Sequence, residues 1–196
     1  MSSEHEPVAT FTLRLMTQLA ADVRREDWDA LVGAESPFLE WDWLASLEEA
    51  RCVGGRSGWS PQHLGLFQDD RLVAACPLYL KTNSEGEFVF DYAWANAAYD
   101  AGIEYYPKML VGVPFTPATG VRFLVAPHLN RPAIVKMLGG ALAELCRENE
   151  ISSVHVNFCT EEEAAALTEI GFAERLGFRL VDHRMELYGV ALDRKG

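Results

Sequence analysis

The sequence predicts a mixed α/β fold, with a central sheet and helices packed on it. Three observations carry this reading. Short apolar runs bounded by turn residues recur at 10–16, 63–80 and 153–158. The stretch "NRPAIVKMLGGALAELCREN" has apolar residues at helical spacing instead. Along the chain the order is strand, helices, hairpin, strands, helix, strand, helix, strand, which interleaves the two kinds of element.

Residues 1–9 are polar and acidic and read as a disordered tail, with 10–196 as a single domain. "TFTLRLM" alternates and ends in an apolar run, as a strand does. "REDWDALVG" puts Trp28, Leu31 and Val32 on one helical face and stops at Gly33. "SPFLEWDWLASLEEA" gives a second short helix, with Trp43, Leu44 and Leu47 on one face and Ser36 or Asp42 as its cap. "GGRSGWSP" is a loop. "HLGLFQDDRLVAACPLYLK" reads as a hairpin, in which Pro77 lacks an N–H and marks an edge or a bulge. "EFVFDYAW" reads as a further strand. Pro132 suits the first turn of the long helix. Ile134, Leu138, Ala141, Leu142 and Leu145 form its apolar stripe, and Gly139 and Gly140 suggest close packing on the sheet. "SVHVNF" is a buried strand, Thr160 with Glu163 makes a capping box for the next helix, and "FRLVDHRMELYGVAL" supplies one or two strands.

Composition excludes several function classes. The 196 residues carry a net charge of −12, and 49% are hydrophobic. Nucleic-acid phosphates need neutralising by Lys and Arg, so non-specific nucleic-acid binding is disfavoured. No run of about 18 apolar residues exists, so no membrane span is expected. "MSSEHEPVAT" has no apolar signal core, and Cys52, Cys76, Cys146 and Cys159 lack CxxC spacing. These features point to a cytoplasmic protein with reduced thiols.

Candidate chemistry is sparse at first sight. His155, Asn157 and Cys159 share one face if the strand continues, but His155 and Cys159 are then about 13 Å apart, too far for a nucleophile pair. The five histidines show no HxH or HxxxH spacing, so no metal site is expected. The most unusual stretch is "YYPKMLVGVPFTPATGVRFLVAP", residues 105–127, which has four prolines and no acidic residue. "KMLVGVPF" reads as a strand in which Gly112 allows close backbone approach. The hydroxyls of Thr116 and Thr119, the backbone around Gly120, and the cations Lys108 and Arg122 suit a common phosphate or carboxylate. A bulge between two core strands would use the same residues. Upstream, Asp91, Trp94, Tyr105 and Tyr106 belong to an aromatic cluster interrupted by polar groups, as pocket walls are.

The strings "SPFLEWDWLASLEEARCVGGRSGWSPQHL", "LVAACPLYLKTNSEGEFVFDYAWANAA" and "YYPKMLVGVPFTPATGVRFLVAP" resemble the bacterial FemAB-like family of peptidoglycan biosynthesis or recognition proteins, related to GNAT acyltransferases. The resemblance runs from about residue 36 to about residue 172. It implies a GNAT-like fold, whose mixed sheet splays open at its middle strands. That gap commonly receives the arm of an acyl-CoA, and a helix N-terminus or tight loop takes the pyrophosphate. Related Fem transferases use aminoacyl-tRNA and carry two such domains in tandem. This chain lacks the Q/RxxGxG/A phosphate loop, and "PFTPATG" stands nearest its place. Family members run to nearly twice this length, so the resemblance implies half of a two-domain architecture, with a homodimer as one way to restore a site between halves.

The resulting expectation is an N-acyltransferase passing an acyl group from acyl-CoA or an aminoacyl donor to an amine of a small molecule or cell-wall precursor. Aminoacyl-tRNA is the donor that the acidic charge disfavours. Asp91 and His155 are the candidate bases. Trp94, Tyr105, Tyr106, Lys108, Thr116, Thr119, Gly120 and Arg122 are the substrate contacts. The alternatives are a non-catalytic ligand-binding module and an inactive half of a two-domain transferase.

Overall fold

The structure is a computed structural model that describes residues 10–33, 36–89, 91–178 and 185–193. The residues expected to form a tail, 1–9, lie outside them. Ten strands and six helices are described: β1 Phe11–Met16, α1 Leu19–Asp22, α2 Arg25–Val32, α3 Trp41–Glu49, β2 Trp59–Pro61, β3 His63–Gln68, β4 Arg71–Cys76, β5 Leu78–Lys81, α4 Tyr92–Asp100, β6 Lys108–Val111, β7 Leu124–Val125, α5 Arg131–Glu148, β8 Ser153–Asn157, α6 Glu161–Thr168, β9 Ala173–Phe178 and β10 Met185–Asp193. A 3-10 turn, Pro37–Leu39, precedes α3.

Pro77 explains the division of the strands into two sheets. The hairpin of 59–81 is interrupted on one arm at Gln62 and on the other at Pro77, whose ring leaves no N–H for a ladder. Its first half, β3 and β4, lies in a four-stranded antiparallel sheet of order β1-β3-β4-β7. Its second half, β2 and β5, lies in a six-stranded sheet of order β2-β5-β6-β8-β10-β9. The next strand divides the same way: β6 joins the six-stranded sheet, the loop 112–123 follows, and β7 joins the other. β6 and β8 are parallel neighbours from Met109↔Val154 to Val111↔Val156, and pairing ends there.

The main core lies between these strands and α5 and α6. It includes Leu64, Val111, Leu138, Leu142, Val156 and Leu167, each no more than 1% exposed. A second core, with Trp28, Leu39 and Leu44, packs α1–α3 against the other face of the four-stranded sheet. Trp28 donates its indole N–H to Leu39 O at 2.8 Å, which satisfies the polar edge of a buried ring.

Several expectations are met. Gly33 ends α2 at φ 67, Pro132 sits in the first turn of α5, and Asn130 caps that helix by accepting from Ala133 N at 3.1 Å. Both bonds of the Thr160–Glu163 capping box form. Of the run 178–192, expected to supply one or two strands, β10 is one, and Phe178 ends β9, which begins earlier at Ala173. The four cysteines are free, and only Cys52 is exposed.

Others need correction. "DYAWANAAYD" is helical over Tyr92–Asp100, not a strand. Its alanines favour helix, and its aromatic residues favour strand only where a half-buried sheet face receives them. Trp59–Pro61 is a short strand rather than loop. Neither Ser36 nor Asp42 caps α3; its N-cap residue is Glu40, and the Trp41 N–H is taken by Asp29 Oδ1 of α2 at 2.8 Å. Trp43 faces outward while Leu44 is buried. Gly139 packs against α6, not the sheet: a Cβ there would stand 2.5 Å from Leu167 Cδ2. At Gly112 a Cβ would meet nothing closer than 3.7 Å, so close approach does not explain it. β8 ends at Asn157, and Phe158 turns with φ 54, so Cys159 leaves the strand face it was expected to share with His155.

Candidate active site

Alternation along the six-stranded sheet gives it two unlike faces. Leu78, Met109, Val111, Val154 and Val156 point into the core under α5. The intervening residues are Tyr79 and Lys81 of β5, Lys108 and Leu110 of β6, and Ser153, His155 and Asn157 of β8. All of these are buried. The second face is therefore a buried polar surface, covered in part by the segment 82–107.

A buried ammonium is tolerated only when its charge and donors are met. Lys108 Nζ donates to Asp91 Oδ2 at 2.6 Å, Glu87 Oε2 at 2.9 Å and Ser84 Oγ at 3.3 Å. Lys81, its neighbour across the β5–β6 ladder, donates to Glu85 O at 3.1 Å and stands 3.9 Å from Glu87 Oε1. Its ammonium also lies 3.8 Å from the centre of the Trp59 ring. Two tyrosines close the outer side. Tyr105 OH donates to Asp91 Oδ2 at 2.8 Å, and the Tyr106 and Ser84 hydroxyls are 2.6 Å apart. His155 Nε2 meets Ser153 Oγ at 2.9 Å, and its ring lies edge-on to Tyr105.

Gly86 lets the covering strap fit. Its φ is 75, and a Cβ would come within 2.6 Å of the Phe115 ring. The strap is further tied by Trp59 Nε1, which donates to Glu85 O at 2.9 Å.

The environment sets the charges apart. Burial lowers the Lys81 ammonium to about 8, although Glu87 pulls the other way. Burial likewise raises the Glu87 carboxyl, against the pull of Lys108. Burial would also raise Asp91, but the Lys108 ammonium and the hydrogen bonds around it outweigh burial and leave it below the usual carboxylate range. Glu87 Oε1, Asp91 Oδ1, Tyr79 OH and Asn157 Nδ2 are buried without a hydrogen-bond partner among the described residues.

A cavity of about 550 Å³ opens beside this cluster, between α4 and residues 102–106, and Tyr99, Glu104, Tyr105 and Tyr106 are among its walls. α4 buries none of its residues; Trp94 is 63% exposed and Tyr99 83%. Asp91, Tyr105, Tyr106 and Lys108 thus come together, His155 lies beneath Tyr105, and Trp94 is exposed on α4 without lining the cavity.

The remaining expected contacts do not converge with them. Lys108 is spent on the carboxylates just described. Arg122 is 2% exposed, and its guanidinium donates to Asn157 O at 2.8 Å, Val121 O at 2.9 Å, Gly120 O at 3.2 Å and to Ala118 O. Burial lowers its pKa to about 10, which still leaves it charged at neutral pH. The Gly120 N–H donates to Phe158 O at 3.0 Å and the Thr116 hydroxyl to Pro114 O at 3.1 Å, while Thr119 is exposed. The expected anion site of Lys108, Thr116, Gly120 and Arg122 is therefore not assembled, because Lys108 turns to the carboxylates of Glu87 and Asp91 while the other three donate to carbonyls of the loop and of the end of β8. The loop occupies the place where β6 and β8 cease to pair, the place where the resemblance puts a donor's arm.

Sequence reasoning also missed Lys81, Ser84, Glu87 and Glu163. Lys81 alternates with Tyr79 at the end of an apolar strand, a signal that was present. Glu87 sits in "NSEGEF", whose turn chemistry hides a buried carboxylate. Glu163 was read as a cap alone. It also accepts from the N–H groups of Arg122 and Phe123 and from Arg131 at 2.7 Å.

Comparisons with known proteins agree on family and fold. The sequence model of the FemAB-like family, described as peptidoglycan biosynthesis/recognition, matches residues 19–187. No curated protein matches the chain. Among solved structures, an N-acetyltransferase from Staphylococcus aureus Mu50 is similar at 9% identity with a TM-score of 0.57, over 96% of this chain and 100% of that one. A putative acetyltransferase of the GNAT family from Desulfovibrio desulfuricans is similar at 14% identity and TM-score 0.56, over 94% and 99% of the two chains. An acetyltransferase from Bacillus subtilis, solved in complex with CoA, is similar at 10% identity and TM-score 0.52, over 94% and 99%. At these identities the likeness shows the fold, which is GNAT-like.

Proposed function

The chain belongs to the FemAB-like family, and from that premise we propose that it is an N-acyltransferase acting on an amine of a small molecule or cell-wall precursor. The observation that carries this reading is the Tyr105–Asp91–Lys108 unit beneath an open cavity, on the polar face of a GNAT-like sheet. N-acylation joins an amine nitrogen to a carbonyl carbon, breaks the carbon's bond to its thiol or ribose oxygen, and moves a proton from nitrogen to the leaving group.

In this reading the cavity holds the acceptor against Tyr105 and Tyr106. Tyr105 takes the amine's proton as its own hydroxyl proton shifts to Asp91, and both shifts reverse when Tyr105 protonates the departing thiolate or ribose oxygen, so the net transfer is from nitrogen to the leaving group. Lys108 holds Asp91 ionised and so polarises Tyr105. Asp91, kept below the usual carboxylate range, is a weak base and readily gives the proton back through Tyr105. His155, edge-on to Tyr105, is the second candidate for the proton.

Acyl-CoA and aminoacyl-tRNA are the two donors the family and fold suggest. The residues expected to cradle a pyrophosphate do not fit that role, since Gly120 and Arg122 are engaged inward. In this reading the donor's phosphates are held by other residues. Both donors are cytoplasmic, and we place the reaction there. The same inward-turned loop favours, as a second reading, a module that binds the precursor without turnover.

The test supplies labelled acetyl-CoA or labelled aminoacyl-tRNA with an amine-bearing cell-wall precursor and follows transfer of label. Transfer is expected from one donor, reduced about 10²-fold or more in Tyr105→Phe, the scale of lost general acid–base assistance. Binding of the precursor with no transfer from either donor would replace the enzyme by the binding module.

A further inference from the structure

The strand β1 stands at one end of the four-stranded sheet, paired on one side only among the described residues. Its partner β3 runs antiparallel in unbroken register from Phe11↔Gln68 to Met16↔His63. The Asp69 N–H donates to Thr10 O, which stands opposite it in that register. The even-numbered residues therefore bond to β3, and Phe11, Leu13 and Leu15 direct their N–H and C=O groups to the open edge.

The same three residues carry the exposed apolar side chains of the strand, Phe11 at 47%, Leu13 at 42% and Leu15 at 46%. An edge of this kind is normally blunted by Lys, Pro or a bulge. Here its only charge is Arg14, which lies over the Phe67 ring and pairs with Asp70 on the opposite face of the sheet.

We infer that β1 is the contact between two copies of this chain, paired antiparallel about a two-fold axis through Leu13. The argument is self-complementarity. With the axis at Leu13, that residue faces its own copy, Phe11 faces Leu15 of the second copy, and the open backbone groups of all three residues are met. Each end of the stripe then joins an aromatic ring to an aliphatic side chain, a favourable cross-strand pair. On the other face Arg14 lies opposite Thr12, so no like charges meet. Moving the axis to Arg14 would set two guanidiniums against each other. The pairing makes one eight-stranded sheet from two four-stranded ones.

The test is sedimentation of the whole chain from about 1 to about 100 µM, a range that suits a small interface. A dimer is expected for the wild type. Leu13→Lys places two ammoniums across the axis and is expected to weaken association at least about tenfold. Phe11→Glu and Leu15→Lys are each expected to weaken it, and the two together in one chain are expected to restore it, because the opposite charges then face each other at both ends. All three positions are exposed, so the urea midpoint of each monomer should stay near that of the wild-type monomer. A monomeric wild type at the highest concentration overturns the inference, as does a dimer indifferent to Leu13→Lys or a double variant no better than the singles.

Discussion

Lys81 carries a charge that its surroundings resist. Burial lowers its pKa from 10.5 to about 8. Between those values the unfolded chain keeps a proton that the folded chain has released, so stability rises with pH across that window. Below it the burial penalty is present in full. Urea midpoints at about pH 7.5 and about pH 9.5 should therefore rise in the wild type relative to Lys81→Met, where this contribution is gone. Equal changes in the two proteins would mean that Lys81 keeps its proton through that range. Of this, only the alternation of Lys81 with Tyr79 at the end of an apolar strand was legible in the sequence. Lys81, Glu87 and Ser84 are brought together by a strap that reads as an ordinary turn, and local pattern carries no information about which turn folds inward. Asp91, Tyr105, Tyr106 and Lys108 were legible as a group, because polar residues interrupting an aromatic run need a reason to be there.

The helices show where local pattern suffices and where packing overrides it. α5 and the cap of α6 could be read directly, since their caps and spacing are written in neighbouring residues. α4 could not, because its aromatic residues are exposed and a strand preference applies only to a covered sheet face. The paired glycines of α5 separate local from tertiary effects. Gly139→Ala places a methyl against Leu167 and Ile170 and should destabilise by about 1–3 kcal/mol. Gly140→Ala meets nothing within 4 Å and should stabilise by about 1 kcal/mol through helix preference alone. Thermal melts that shift the same way for both would refute the close packing of α5 on α6.

At the scale of the molecule, the split between two sheets is announced by Pro77, while the loop that fills the split is not. Arg122 looks like a ligand-binding arginine in sequence because it follows threonines and a glycine. In the fold it ties the loop 118–121 to the end of β8. Arg122→Ala strands those carbonyls and should cost about 3 kcal/mol or more, and Arg122→Lys should recover little, since one ammonium cannot reach all of them. A variant that kept its urea midpoint but lost precursor binding would instead make Arg122 a ligand contact. Beside it, Glu163, in the first turn of α6, holds the N–H groups of Arg122 and Phe123 from forty or more residues away. Those two amides exchange with deuterium only when the carboxylate lets go. Their exchange therefore times the departure of a helix to which neither belongs, and gives a readout, from two backbone sites, of how often this end of the protein opens.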